Sequence, residues 1–421
     1  MENFPKMFKI RQKINAPRVE NIERRVNELL DQFEIRKKVK RGERIALTAG
    51  SRGIKDKPRV LKTIVERLKD LGASPYLVPC MGSHGGATAE GQVEILETLG
   101  ITEESIGAPI LSSIEVQKIG VTRFGTPVLI DKNILKADKI IVVNRIKLHT
   151  DFKGPIESGL IKMMVIGMGK PEGAMMVHRL TIKNGFPAVL AEVGSILLKK
   201  LPVFFGMGII ENPYDETASI ELVKPEEMME KEKLLLKKAA RLMPRLPFDQ
   251  IDILVIDELG KNISGSGMDT NVIGRNSFIG GEKPKKPKIT RIFVRDLTES
   301  TQGNACGLGM AEYTTKRLVE KIVYPPTFIN AYTGMCPENG RIPMFFEKDR
   351  EALTIAHYNS GVFDPKDLRV LWIKNTLDLE YVYASRPFLK EARSNPKIKI
   401  LGKPFDLPFD ESGNLVSKWN E

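Results

Sequence analysis

The sequence holds only three cysteines, Cys80, Cys306 and Cys336, far apart and in no Cys-x-x-Cys spacing. That excludes a disulfide framework and gives no cysteine zinc site. Aromatic residues are 7% of the chain, with two tryptophans, too few for the interleaved stacking surfaces of single-strand nucleic-acid binders. No uninterrupted apolar segment reaches the roughly 18 residues that span a bilayer, so no membrane association is expected. The opening residues, Met1 to Ile10, lack an apolar core of signal-peptide length, and a cytoplasmic location is expected. Neither a repeat of solenoid period nor a long low-complexity tract is present. What remains is a chain of 421 residues, 42% apolar and 28% charged, of ordinary globular composition and long enough for two domains or one large one.

Lysine and arginine number 65 against 53 acidic residues, a formal charge of +12 that favours anionic partners. The charge is scattered. Its one dense run, Lys283 to Lys288, lies in a Gly/Pro-rich stretch and reads as a solvated loop, so a nucleic-acid partner is disfavoured.

Short apolar strands alternate with amphipathic helices, the pattern of an α/β fold with mostly parallel sheets. Arg44–Ala49 reads as a strand that ends in Gly50-Ser51-Arg52-Gly53, and Pro58 opens a helix through Leu61, Ile64, Leu68 and Leu71. Tyr76–Val78 is a second strand, whose loop Gly82-Ser83-His84-Gly85-Gly86 precedes a helix from about Thr88 to Leu99. Lys139–Asn144 is a buried strand, followed by Arg145 to His149. All three loops follow strand C-terminal ends, where open α/β sheets place ligands. The charged stretch Lys224–Leu246 reads as a helix. The new strand Ile251–Asp257 then marks a boundary, giving domains 1–246 and 247–385 and a packed tail 386–421. Further strands are expected at Thr290–Val294 and Leu368–Trp372, and helices near Ala311–Ile322 and Lys348–Tyr358.

Only four histidines occur: His84, His149, His178 and His357. Imidazole suits proton transfer at neutral pH and metal ligation, while a lone histidine is also an ordinary packed or surface residue. His84 lies in a glycine-rich turn that lets backbone approach a ligand, or that is only a strand-to-helix turn capped by Thr88. Arg52 offers a guanidinium for a carboxylate or phosphate, or a surface charge. Lys162, after Ser158-Gly159 and before a methionine-rich run, is either an amine suited to covalent attachment or a solvated helix lysine. Gly167, Gly169 and Gly173 form a glycine-rich turn with neither Walker nor Rossmann spacing. His357 sits within a helical pattern and reads as structural.

The Gly82-Ser83-His84 turn, the His149 loop, Ser158-Gly159 before Lys162, and His178 sixteen residues after Lys162 together resemble the nickel-dependent lactate racemase family. The resemblance implies two α/β domains with the active site in the cleft between them. It implies racemisation or epimerisation of a small 2-hydroxy acid by reversible hydride transfer to a nickel pincer nucleotide. That cofactor is a pyridinium-3-thioamide-5-thiocarboxylic acid mononucleotide carrying nickel, made by dedicated biosynthetic enzymes. Lys162 would carry the covalent tether and His178 would ligate nickel. His84 and His149 would be the acid/base pair, and Arg52 would hold the substrate carboxylate. Ser158, Gly159, Gly167 and Gly169 would contact the cofactor.

Three features depart from that family. The stretch from His149 to Lys162, thirteen residues, is longer than the family spacing. Ser51-Arg52-Gly53 replaces a Thr-Arg-Pro turn. In the stretch Gly260–Thr270, Gly and Ser replace the Tyr-Gln pair of lactate racemases, and Ser264, Ser266, Asp269 and Asn271 offer hydrogen bonds to extra hydroxyls. A smaller, more polar wall suits a longer substrate with extra hydroxyls, such as an aldonate, although a Gly/Ser stretch is also simple turn punctuation. Two other classes stay open from sequence: a histidine zinc protein without the organic cofactor, and a nucleic-acid binder using the +12 charge. The sequence leaves the oligomeric state open.

Overall fold

The computed structural model describes residues 4–278, 284–417 and 419. Lys283, first residue of the basic run, lies outside these, and the rest of that run leads directly into the strand that starts at Lys288. The packing groups residues differently from a 1–246, 247–385 and 386–421 division. One unit is Ala16–His149 with Lys153–Met243, and the other is Met1–Asn15, Thr150–Phe152 and Pro244–Glu421.

The chain opens with β1 (Met7–Gln12), which pairs antiparallel with two strands from the far end of the sequence. Met7, Phe8 and Ile10 are buried there, which explains why the N-terminus belongs with distant residues.

The unit containing Ala16–His149 then forms β2 (Arg44–Ala49), β3 (Ser74–Pro79), the hairpin β4 (Val116–Val121) and β5 (Pro127–Asp131), β6 (Lys139–Arg145), β7 (Val203–Glu211) and β8 (Thr217–Val223). Its main sheet runs β3-β2-β6-β7-β8 and is parallel except at β8. Ile140 to Val143 are wholly buried, a continuous apolar run as expected where helices cover both faces of a parallel sheet. The helix Lys57–Asp70 starts around Pro58, whose missing N–H costs nothing in a first turn. It buries Val60, Leu61, Ile64, Val65 and Leu68 along one stripe.

The second unit contains β9 (Gln250–Leu259), β10 (Lys288–Leu297), β11 (Tyr313–Thr315), β12 (Met344–Phe346), β13 (Val370–Ile373), β14 (Tyr381–Ser385) and β15 (Ile398–Phe405). Its sheet order is β12-β11-β10-β9-β13-β14-β1-β15, parallel from β12 to β13. Two readings are corrected here. The segment expected as one helix from Ala311 to Ile322 is β11 followed by the short helix Lys316–Glu320. Thr314 and Thr315 donate their hydroxyls to Val294 and Arg295 carbonyls, and Thr315 also caps the helix, so the β-branched pair joins the sheet. The presumed tail contributes an edge strand, β15, whose half-exposed residues hide its strand character.

Both sheets change direction about one strand. From β2 the chain moves outward to β3 and later returns to β6 on the other side of β2; β9 stands likewise between β10 and β13. Such switch points open a crevice beyond the strand C-termini.

Candidate functional site

In the sheet of the first-described unit, the switch point is flanked by the turn after β2, carrying Ser51 and Arg52, and the loop after β6, carrying His149. The turn after β3 carries His84. Gly82, Gly85 and Gly86 all take left-handed φ, and a Cβ on Gly85 would meet the backbone of Gly91 at 2.5 Å, so this tight entry to the helix Ala89–Thr98 requires glycine. Thr88 caps that helix by accepting from Gly91 N–H at 3.0 Å. His84 is exposed, and Ser51 Oγ hydrogen-bonds its Nδ1, which joins the two turns and orients the ring. Arg52 is exposed beside it.

The His149 loop is built around a buried carboxylate that the sequence reading did not single out. Glu157 accepts the His149 N–H at 2.6 Å and the Gly154 N–H at 3.2 Å, and Lys153 Nζ lies 3.5 Å from it while donating to the His149 carbonyl at 2.6 Å. Lys147 and Ser158 exchange backbone hydrogen bonds that close the base of the loop. The extra length between His149 and Lys162 is thus a closed, internally bonded loop, and Ser158 serves it through its backbone.

Lys162 ends the short helix Leu160–Lys162 and enters a π-helical turn, Met163–Gly167, that leads into the helix Lys170–Asn184 carrying His178. Single π turns are rare and concentrate at functional sites. Lys162 Nζ hydrogen-bonds His149 Nε2. The buried Phe186 ring lies 6.1 Å from the His149 ring and 5.9 Å from the His178 ring, edge-on to the latter. Burial, then the Lys162 charge, holds His149 well below the ordinary imidazole range. The same two causes take His178 down to about 4. Both rings are therefore neutral at pH 7, with nitrogen lone pairs suited to accept a proton or bind a metal.

The glycines of the turn have packing reasons. Gly167 is buried, and a Cβ there would meet the Cys80 carbonyl at 2.6 Å; a Cβ on Gly169 would meet Gly173 Cα at 3.2 Å. Gly159 is as tightly placed, since a Cβ would lie 2.3 Å from Glu232 Oε1. Glu232, buried on the helix Met228–Leu242, accepts the Ile161 N–H at 3.0 Å, so it caps the turn that presents Lys162.

Burial pushes Glu232 up to about 7 from its ordinary 4.5. A folded state that binds this proton more tightly than the unfolded chain loses stability as pH rises through that window, by about 3 kcal/mol in all at roughly 1.4 kcal/mol per unit. Glu232→Gln is expected to flatten the fall in melting temperature between about pH 5 and about pH 8 and to raise the value at the upper end. An unchanged slope in thermal melts would mean that the carboxylate does not carry the effect.

Ser264, Ser266, Asp269 and Asn271 lie in the other unit, in the turn after β9. The first three are buried. Asp269 caps the helix Thr270–Ile273 by accepting from Asn271 N–H, and it also accepts from the Asn271 side chain, each at 2.9 Å. Ser266 Oγ donates to Asp151 Oδ1 at 3.3 Å, and Asp151 belongs to the same unit. Asp269 thus braces its own turn, and Ser266 ties that turn to Asp151. His357, as expected of a structural residue, places Nε2 3.0 Å from the Val362 carbonyl.

Among the described residues, no group of three or more His, Cys, Asp or Glu side chains is gathered to hold a metal ion, and no helix is long and apolar enough to cross a membrane. The fold is similar to that of the lactate racemase apoprotein from Thermoanaerobacterium thermosaccharolyticum, with a TM-score of 0.55 and 13% identity over 88% of this chain and 94% of that one. No curated protein matches the sequence. Residues 5–187, which include His84, His149, Lys162 and His178, match the lactate racemase N-terminal domain.

Proposed function

We propose that this protein is a 2-hydroxy acid racemase or epimerase that works with a nickel pincer nucleotide attached to Lys162. The observation that carries the reading is the joining of Lys162 to His149 Nε2, with His178 on the next helix and Phe186 against both imidazoles. The residues fit the group. An amine bordered by Met163, Met164 and Val165, all buried, suits acylation, and a neutral, partly buried His178 is a good single nitrogen donor for nickel(II). A cofactor that brings its own sulfur and carbon donors asks the protein for only one ligand, whereas a zinc site of protein ligands asks for three or four.

When bound, the nickel pincer nucleotide would supply a reversible acceptor for the hydride of the substrate C2. The chain's own task is to hold a carboxylate and move a hydroxyl proton. Arg52 is assigned the substrate carboxylate. His84 and His149 are assigned the proton, one for each enantiomeric face. With the cofactor attached, Lys162 would present a neutral nitrogen rather than an ammonium to His149 Nε2, so that imidazole would lose its nearest positive charge. Ser158, Gly159, Gly167 and Gly169 shape the turns on either side of Lys162 and are assigned the cofactor's surroundings. Ser264, Ser266, Asp269 and Asn271 are assigned the distal end of a polyhydroxylated substrate such as an aldonate.

The test is nickel content together with the mass of the Lys162 peptide, on protein made in cells that also express the cofactor-making enzymes, beside a lactate racemase control. A nickel-bearing adduct on Lys162 is expected. An unmodified lysine with the control loaded would overturn the reading. With the adduct in hand, inversion of gluconate-type acids is expected to outpace that of lactate, and the reverse order would remove the sugar-acid assignment.

A further inference from the structure

Lys170 is wholly buried at the first position of the helix that carries His178, yet its backbone takes the left-handed φ of 54° that non-glycine residues rarely adopt. Its Nζ donates to the Pro79 carbonyl at 2.6 Å and to Gln92 Oε1 at 2.8 Å, and it pairs with Asp131 Oδ2 at 3.1 Å. Neither partner of that ion pair is exposed. Gln92, also fully buried, turns its amide the other way and donates to the Gly82 carbonyl at 2.9 Å and to the His84 carbonyl at 3.5 Å. Asp131 closes the base of the arrangement. Its N–H donates to the Met168 carbonyl at 2.9 Å, and its carboxylate accepts from Asn133 N–H at 2.5 Å.

A buried ion pair is a poor source of net stability, because desolvation offsets the attraction, and such pairs are better explained where they fix one arrangement among several. The arrangement here is specific. One ammonium binds the end of β3, the helix after the His84 turn and the end of β5, and it stands eight residues before His178. Gly82 also packs on this segment, where an added Cβ would meet Ala174 Cβ at 3.2 Å.

We propose that Lys170 is a positioning residue that, through Gln92, sets the His84 turn against the helix bearing His178. The proposal rests on the racemase reading for its purpose, but its test needs no cofactor. The chain has four histidines, so a histidine-labelled sample of the full protein gives four ring correlations by NMR, assignable by single His→Gln variants. Gln92→Met keeps the volume and adds no charge while removing the donors to Gly82 and His84. It is expected to move the His84 ring signal and its titration midpoint, with His357 unmoved and the circular dichroism unchanged. Lys170→Met is expected to move both His84 and His178.

If Lys170→Met does not fold, Gln92→Met decides alone, and Gln92→Glu, which keeps an acceptor for Lys170, is expected to move His84 as well. A His84 signal unaltered in folded Gln92→Met protein would overturn the proposal, as would equal movement of all four signals, which marks general loosening. Absence of a Lys162 adduct, by contrast, would sink only the racemase reading.

Discussion

Lys162→Ala is expected to leave a folded protein with no covalent adduct and with nickel at background, whereas His84→Ala and His149→Ala keep the adduct and the metal and lose turnover. The contrast follows from what each side chain contacts. Lys162 Nζ hydrogen-bonds His149 Nε2, and the short helix Leu160–Lys162 carries no second lysine. On the proposed reading the imidazoles are proton carriers, and removal of a general acid or base costs about 10²- to 10⁴-fold in rate without touching attachment. His178→Ala completes the set. It is expected to keep the adduct by mass while nickel falls relative to adduct.

Lys162→Ala has a second expected effect that needs no cofactor. It removes the charge that is the second cause of the depressed His149, so the His149 titration moves upward yet stays below the ordinary value, because burial, the first cause, is untouched. Equal nickel in Lys162→Ala and the parent protein would contradict the assignment directly.

How much of this was legible in the chain depends on how local each cause is. The parallel strands β2 and β6 and the helix after Pro58 were legible because continuous apolar runs and a 3.6-residue stripe are local signals. The His84 turn was legible from its glycines, whose left-handed φ values only glycine adopts readily. Lys162 and His178 lie on one nearly continuous helical segment, so their sixteen-residue spacing is itself a local feature.

What escaped was set by partners distant in sequence. β1 reads as a nondescript N-terminus until β14 and β15 flank it. Glu157 and Glu232 look like ordinary surface acids. Their role appears only when burial aims them at the N–H groups of His149 and Ile161. Lys170 lies inside the glycine-rich turn Gly167–Gly173, and its bonds to Pro79, Gln92 and Asp131 span 91, 78 and 39 residues. The Ser264 to Asn271 stretch is the reverse case: its polar residue types suggest a substrate wall by composition alone, while the bonds of Asp269 to Asn271 and of Ser266 to Asp151 emerge only from the fold.

Asp349→Ala is expected to be the most destabilising single change in the unit containing Pro244–Glu421, at about 3–5 kcal/mol, the range for breaking a buried ion pair from one side. Asp349 has no exposed surface and sits in the first turn of the helix Asp349–Tyr358, where the helix dipole favours a negative charge. Its carboxylate accepts from Arg295 Nε at 2.8 Å, Arg317 Nη2 at 2.6 Å and the Leu415 N–H at 2.9 Å. Alanine leaves a buried guanidinium with one carboxylate, Asp257 at 2.5 Å, and takes the acceptor from a buried backbone N–H. Asp349→Asn, which keeps an acceptor but not the charge, is expected to lie between.

The same unit supplies the probe. Trp372 and Trp419, the chain's only tryptophans, lie edge to face at 5.6 Å, and both donate to Asp257, at 2.5 and 2.6 Å. Tryptophan fluorescence in a urea titration therefore follows this unit. With slopes of about 1–3 kcal/mol per molar urea, the Asp349→Ala midpoint is expected to fall by at least about 1 M. A shift equivalent to less than about 1 kcal/mol would mean that water reaches the two arginines, and that the C-terminal segment from Leu415 is not held by this carboxylate.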